Sequence, residues 1–181
     1  WLAPIYLEQT ADMVTTVSMG RSDFDLEVFP GLRRSATAPG NLNVITGASS
    51  TNPIIPVYPN AYPATAEFVE FSLPAVMQNA EGTYNVNLNN QVTTLEQGKL
   101  SPSNLSELNG LTAVQGGGGG YLSNEISYRS INLRQHLKSS IPTGHIHTPR
   151  ITSDDQQVIQ EILNQTETMI LLGTESIKSN E

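Results

Sequence analysis

The chain has 181 residues, 38% of them hydrophobic, and a formal net charge of −8, which suits one α/β domain with a sizeable core. No apolar run reaches the ~18 residues of a membrane span, and no basic stripe marks a nucleic-acid face. With no cysteine, disulfides and thiolate metal sites are excluded.

In chain order, Trp1 to Asp12 is irregular, with Ile5 to Leu7 expected as a short strand. Met13 to Met19 is β-branched and apolar and reads as a strand ended by Gly20. Phe24, Leu26 and Val28 alternate with Asp23, Asp25 and Glu27, a period of two that puts Glu27 on the face opposite Leu26. Pro30 to Pro63 is rich in Pro, Gly, Asn, Ser and Thr, a long connection with extended pieces at Asn43 to Ile45 and Ile54 to Tyr58. Its paired cations, Arg33 and Arg34, suit the orienting of an anionic or carbonyl group. Phe68 to Leu73 reads as extended, and Pro74 to Ala80 as a short helix with proline at its start. In the polar stretch from Thr83 to Asn109, Val86, Leu88 and Val92 are expected to form a hairpin around Asn89-Asn90. Leu111 to Val114 is a further short strand.

Five glycines follow, Gly116 to Gly120, and can only be loop. A helix is expected from Tyr121 to Lys138, with Leu122, Ile126, Leu133 and Leu137 as its apolar stripe and Ser123 in its first turn. There a hydroxyl lies in the field of free N–H groups that can hold an oxyanion. Ile146 and its neighbours read as a strand ending at His147, with His145 expected on the strand's opposite face. A hydroxyl at a strand–turn–helix junction near a histidine is the layout of a nucleophile and its base. Each part also has an ordinary reading: Ser123 as a helix cap, Glu27 as a solvated strand residue, His136 as a partner of a helix C-terminus. His145 and His147 with Glu27, Asp23 or Asp25 also have the composition of a metal site. Ser153-Asp154-Asp155-Gln156 fits a capping box ahead of an amphipathic helix expected to stop at Gly173 and leave Thr174 to Glu181 as a tail.

Three segments together resemble the pyroglutamyl peptidase I family (pyrrolidone carboxyl peptidases). Gly119-Gly120-Tyr121-Leu122-Ser123-Asn124 is similar to the family's Gly-aromatic-x-Cys-Asn nucleophile segment. Gly144-His145-Ile146-His147-Thr148-Pro149 is similar to its Gly-x-Ile-His-x-Pro base segment. Gly20 to Glu27 is similar to the stretch that ends in its catalytic glutamate, and Pro39 and Asn41 fall where the family has a Pro and an Asn. The resemblance covers roughly residues 14 to 172. It implies a single three-layer αβα domain over residues 1–181 with a mostly parallel twisted sheet, residues 83–109 being an insertion.

It also implies an acyl-enzyme peptidase or amidohydrolase acting on a peptide or small amide. Ser123 would be nucleophile, His147 general base, Glu27 the carboxylate orienting it, and Gly120, Tyr121 and Leu122 part of the oxyanion site, with Arg33 or Arg34 assisting. No cofactor, metal, nucleic acid or membrane is expected. The chain departs from the family in having Ser123 in place of cysteine, Thr37 in place of an arginine ten residues beyond the glutamate, and no Gly-Phe-x-Pro-Phe-Gly-Gly type loop. The alternative is therefore a catalytically inactive relative acting as a binding or structural protein. Also expected are a homo-oligomer and a preceding segment or separate N-terminal chain completing the sheet. The family is cytoplasmic, whereas scarce lysine and two glycosylation-type triplets lean towards an exported protein.

Overall fold

The computed structural model describes residues 3–8, 11–39, 43–152 and 154–179. Its main sheet has four strands in the order β1 (Val14–Arg21), β7 (Thr143–Pro149), β2 (Phe24–Glu27), β3 (Val86–Asn89). β1 runs parallel to β7 and β3 parallel to β2, while β7 and β2 are antiparallel. A smaller antiparallel sheet holds β4 (Val92–Thr94) between β5 (Gly98–Leu100) and β6 (Ala113–Gln115).

All seven residues of β7 are buried, as expected of a central strand covered on both faces. On one face Ile146 joins Phe24, Leu26, Leu73 and Met77 with Ile162 and Met169 of α3 (Gln156–Lys178). On the other lies α2 (Leu122–His136), packed on β1 and β7. A further apolar cluster, including Phe29, Phe68, Val92, Leu111 and Ala113, ties the small sheet to the chain after β2. The architecture is mixed α/β with a mostly parallel central sheet between helices.

Several local expectations are corrected. Ile5 to Leu7 lies in a short helix, α1 (Ala3–Glu8), whose Leu7 is buried and whose Leu7 carbonyl accepts from Ser139 Oγ. Asn89-Asn90 does not turn a hairpin: β3 pairs with β2 and β4 with the other sheet. The chain crosses between sheets there, and the Asn89 carbonyl accepts from Val28 N at 3.0 Å, extending the pairing of β3 with β2. The short helix expected over Pro74 to Ala80 is present, as a 3-10 turn over Ala75–Asn79 with Pro74 at its N-cap.

The buried face of α2 is built on Asn124, Ser127, Tyr128, Ile131 and Leu133, and Leu122 is 41% exposed. α3 is capped by the Asp155 side chain, which accepts from Gln157 N and Val158 N; Ser153 lies outside the described residues, as does Asn41. α3 also continues through Gly173 to Lys178. That glycine is a packing residue, since a Cβ on it would sit 3.1 Å from Met77 Cγ and Sδ.

A candidate active site on the polar face of the central strand

β7 presents His145 and His147 on one face, correcting the expectation of opposite faces. Residues two apart share a face in a pleated strand, and the two rings meet edge to face with centroids 5.1 Å apart. The neighbouring strands bring polar partners by register. On β1, Thr16 aligns with His145 and Ser18 with His147. On β2, Asp25 aligns with His147 and Leu26 with Ile146, so Glu27 falls one step along, beside the histidines.

Glu27 is not a solvated strand residue; it is fully buried. Its Oε1 lies 2.5 Å from His147 Nδ1 and 3.9 Å from His145 Nε2. The short contact is out of line for a hydrogen bond, and neither carboxylate oxygen nor His147 Nδ1 has a well-directed partner. Burying a carboxylate is costly unless it is paired, and the glycine loop leaves it little alternative position. A Cβ on Gly118 would lie 2.5 and 2.6 Å from the two carboxylate oxygens. Gly119 has φ +85° and closes the loop through reciprocal bonds with Gly116. Glycine at position 118 is what allows the loop to lie this close on Glu27.

Ser123 is in the first turn of α2, whose N-terminal residue Tyr121 makes no side-chain cap. Asn124 anchors the helix start: buried, it accepts from Gly31 N at 2.8 Å and donates to Gly31 O at 2.7 Å. Ser123 Oγ accepts a hydrogen bond from Ser18 Oγ at 3.0 Å. Ser18 Oγ is in turn 2.8 Å from His145 Nε2, and His145 Nδ1 is 2.7 Å from Thr16 Oγ1. There is no hydrogen bond between Ser123 and His147 in this arrangement. Burial pushes the His145 pKa down to about 4, leaving a neutral imidazole at pH 7.

Gly120, Tyr121 and Leu122 form the last of the loop and the start of α2, and the Gly120 carbonyl accepts from Ser35 N and Ala36 N. Arg33 is held by Glu67, a bidentate pair with Nη2–Oε1 at 2.6 Å. Arg34 pairs with Glu125 at 2.5 Å and lies over the Tyr121 ring. Glu125 is also paired to Arg129, so these charges are largely matched among themselves. His136 ends α2 with Nε2 2.7 Å from the Pro63 carbonyl.

Beside Ser123 opens a cavity of about 630 Å³, lined by Ser18, Tyr58, Tyr62, Leu122, Ser123 and Ile126 among others. Leu122 and Ile126, expected to face the core, line it instead. Its size is that of a small-molecule site. Glu27, His145 and His147 each offer a ligand atom, all within 4.8 Å of one another, a donor set of the zinc type. Both His145 ring nitrogens face hydroxyls, however, which leaves only two unengaged side chains. Thr16, Ser18 and Asn124 are site residues to which the sequence reading assigns no role, and His145 figures in it only as a candidate metal ligand. For Thr16 and Ser18 the signal was their spacing of two, which puts both hydroxyls on one face of β1.

A family model, the C-terminal domain of PA0049, matches residues 66–152. The uncharacterized protein PA0049 of Pseudomonas aeruginosa is 54% identical over 39 residues, which are 22% of this chain and only 7% of that relative's length. Among solved structures, the Pf-PCP structure has a TM-score of 0.63 at 16% identity, covering 99% of this chain and 75% of that one. Pyrrolidone carboxyl peptidase from Pyrococcus furiosus has a TM-score of 0.60 at 16% identity, covering 97% of this chain and 75% of that one. A mutant of the same enzyme gives 0.58 at 16% identity, with 98% and 74% covered. The chain therefore shares its fold with the pyrrolidone carboxyl peptidase structures.

Proposed function

We propose that the chain is a peptidase or amidohydrolase that works through an acyl-enzyme on Ser123. The observation that carries this is the fully buried Glu27 carboxylate 2.5 Å from His147 Nδ1, on the sheet face where Ser123 opens to a cavity. Ser123 Oγ attacks the carbonyl carbon of a peptide or small amide, and His147 takes its proton and returns it to the leaving amine. Glu27, close to His147 Nδ1, faces the imidazolium that forms and stabilises its charge. N–H groups at the start of α2, from Gly120 to Leu122, meet the carbonyl oxygen as it gains charge. The Ser123–His147 contact closes on substrate binding, since such bonds are commonly long in empty sites. The fold shared with pyrrolidone carboxyl peptidases supports the reading.

Fluorophosphonate labelling and hydrolysis of pyroglutamyl-coumarin and other acyl-coumarin amides test it. Labelling of Ser123 that is lost in Ser123→Ala is expected. Absence of both labelling and turnover in the purified protein overturns it.

A second reading, a non-catalytic binding protein, is favoured by one observation: Ser123 Oγ is bonded to Ser18 and not to His147. Ser123→Cys separates the two. A thiol variant that hydrolyses amides has an intact site; one that stays inert with Glu27 and His147 in place supports the binding role.

A further inference from the structure

Two histidine limbs converge on Ser123, and the hydrolase reading uses only the one through His147 and Glu27. The second runs along β1 and β7 through Thr16, His145 and Ser18. Its proton directions follow from counting hydrogens. Ser18 has one hydroxyl proton and donates it to Ser123 Oγ. Ser18 Oγ must then accept from its other neighbour, His145 Nε2, 2.8 Å away. A neutral imidazole has one N–H, so His145 Nδ1 is bare and accepts from Thr16 Oγ1 at 2.7 Å; the Gly144 carbonyl is a longer second acceptor for Thr16 at 3.3 Å. His145 has no solvent exposure, and its pKa near 4 keeps it neutral. Each proton in the series therefore points towards Ser123.

We propose that Thr16, His145 and Ser18 form a hydrogen-bond donor chain that positions Ser123, occupying one lone pair of its Oγ and leaving the serine's own proton for the His147 face. Ser18 and His145 make and break no bonds; they are positioning residues. The donated bond also stabilises negative charge on the atom at position 123. The consequence for rate rests on the hydrolase reading, whereas the consequence for charge does not, and the experiment uses both.

In Ser123→Cys protein, the thiol is titrated by thiolate absorbance with Ser18 intact, with Ser18→Ala and with Ser18→Thr. Loss of the donor is expected to raise the thiol pKa by about one unit, a tenfold smaller thiolate fraction, and Ser18→Thr is expected to keep the lower value. An unchanged or lower pKa in Ser18→Ala overturns the proposal. In the protein with Ser123, Ser18→Ala is expected to slow fluorophosphonate labelling at least tenfold with KM little changed, and Ser18→Thr to restore the rate.

A thiol shift without labelling of any variant leaves the donor chain standing and removes the hydrolase reading. Normal labelling with neither effect removes the donor chain alone. Should Ser18→Ala fail to fold, nitrogen-15 NMR of His145 in the unaltered chain decides: an Nε2–H tautomer is required, and an Nδ1–H tautomer overturns the proposal.

Discussion

The two faces of β7 are equally buried and chemically opposite. Towards α3, Ile146 meets Phe24, Leu26, Met77, Ile162 and Met169, a continuous apolar layer whose packing stabilises the domain. Towards α2, the buried side chains include Glu27, Asn124, Ser127, His145 and His147. A layer of this kind gains less from burial and must satisfy each polar atom, and Glu27 and Ser127 are left with unpartnered oxygens. The contrast implies that stability resides mainly on one side of the strand and the candidate site on the other. Four changes break or sharpen it.

The largest effect is expected on the α3 side. Phe24 is fully buried, and Phe24→Ala is expected to cost about 4 kcal/mol in denaturant unfolding; a loss under about 1 kcal/mol would mean that this face is not the stabilising one.

The polar side is expected to respond to acid. An unfolded histidine titrates near 6.5, and His145 is held at about 4 by burial. Between those values the unfolded chain binds the extra proton, so stability is full above about pH 6.5 and falls as the pH drops towards 4. At about 1.4 kcal/mol per pH unit, the window removes roughly 3 kcal/mol. His145→Gln is expected to flatten that part of the stability–pH curve, and an unchanged slope would show that His145 is not buried neutral.

Glu27→Gln is expected to act very differently on the two properties. Exchanging the buried carboxylate beside His147 for an amide of the same shape is expected to change stability by under about 1 kcal/mol, while hydrolysis and Ser123 labelling fall by about a hundredfold or more. Parallel losses of both would place Glu27 among the stabilising residues instead.

The smallest change lies far from the strand. Asp155→Ala removes the side-chain cap of α3 and is expected to cost about 1 kcal/mol with labelling unchanged.

The pattern of the apolar face was readable in advance. Strand alternation through Phe24 and Leu26, and helical spacing through Ile162 and Met169, each report burial on a single side. Of the three proposed catalytic positions, Ser123 and His147 were visible in the strand–loop–helix layout, whereas Glu27 stood out only through the family resemblance, because a period of two cannot distinguish a solvated Glu27 from a buried one; the glycine loop that closes over it is a tertiary contact. The polar face was harder still. Asn124 and Ser127 on α2 are buried on the side away from the stripe of Leu122, Ile126, Leu133 and Leu137, where helical periodicity would place surface residues. The strict period of two does put His145 beside His147, so that pairing was available from spacing alone. The crossing at Asn89 and the passage of α3 through Gly173 involve tertiary contacts, to β2 in the one case and to Met77 in the other, which no local pattern records.

The two bonds between Asn124 and Gly31 have a dynamic consequence. Gly31 lies outside the named strands, where an amide ordinarily exchanges with solvent quickly. Its N–H is instead donated to a side chain that is itself almost wholly buried, so exchange requires the start of α2 to lift away from the loop. The Gly31 amide is thus a built-in clock for that opening. Its hydrogen–deuterium exchange time, read in one residue, reports how often the helix turn that carries Ser123 undocks from the sheet.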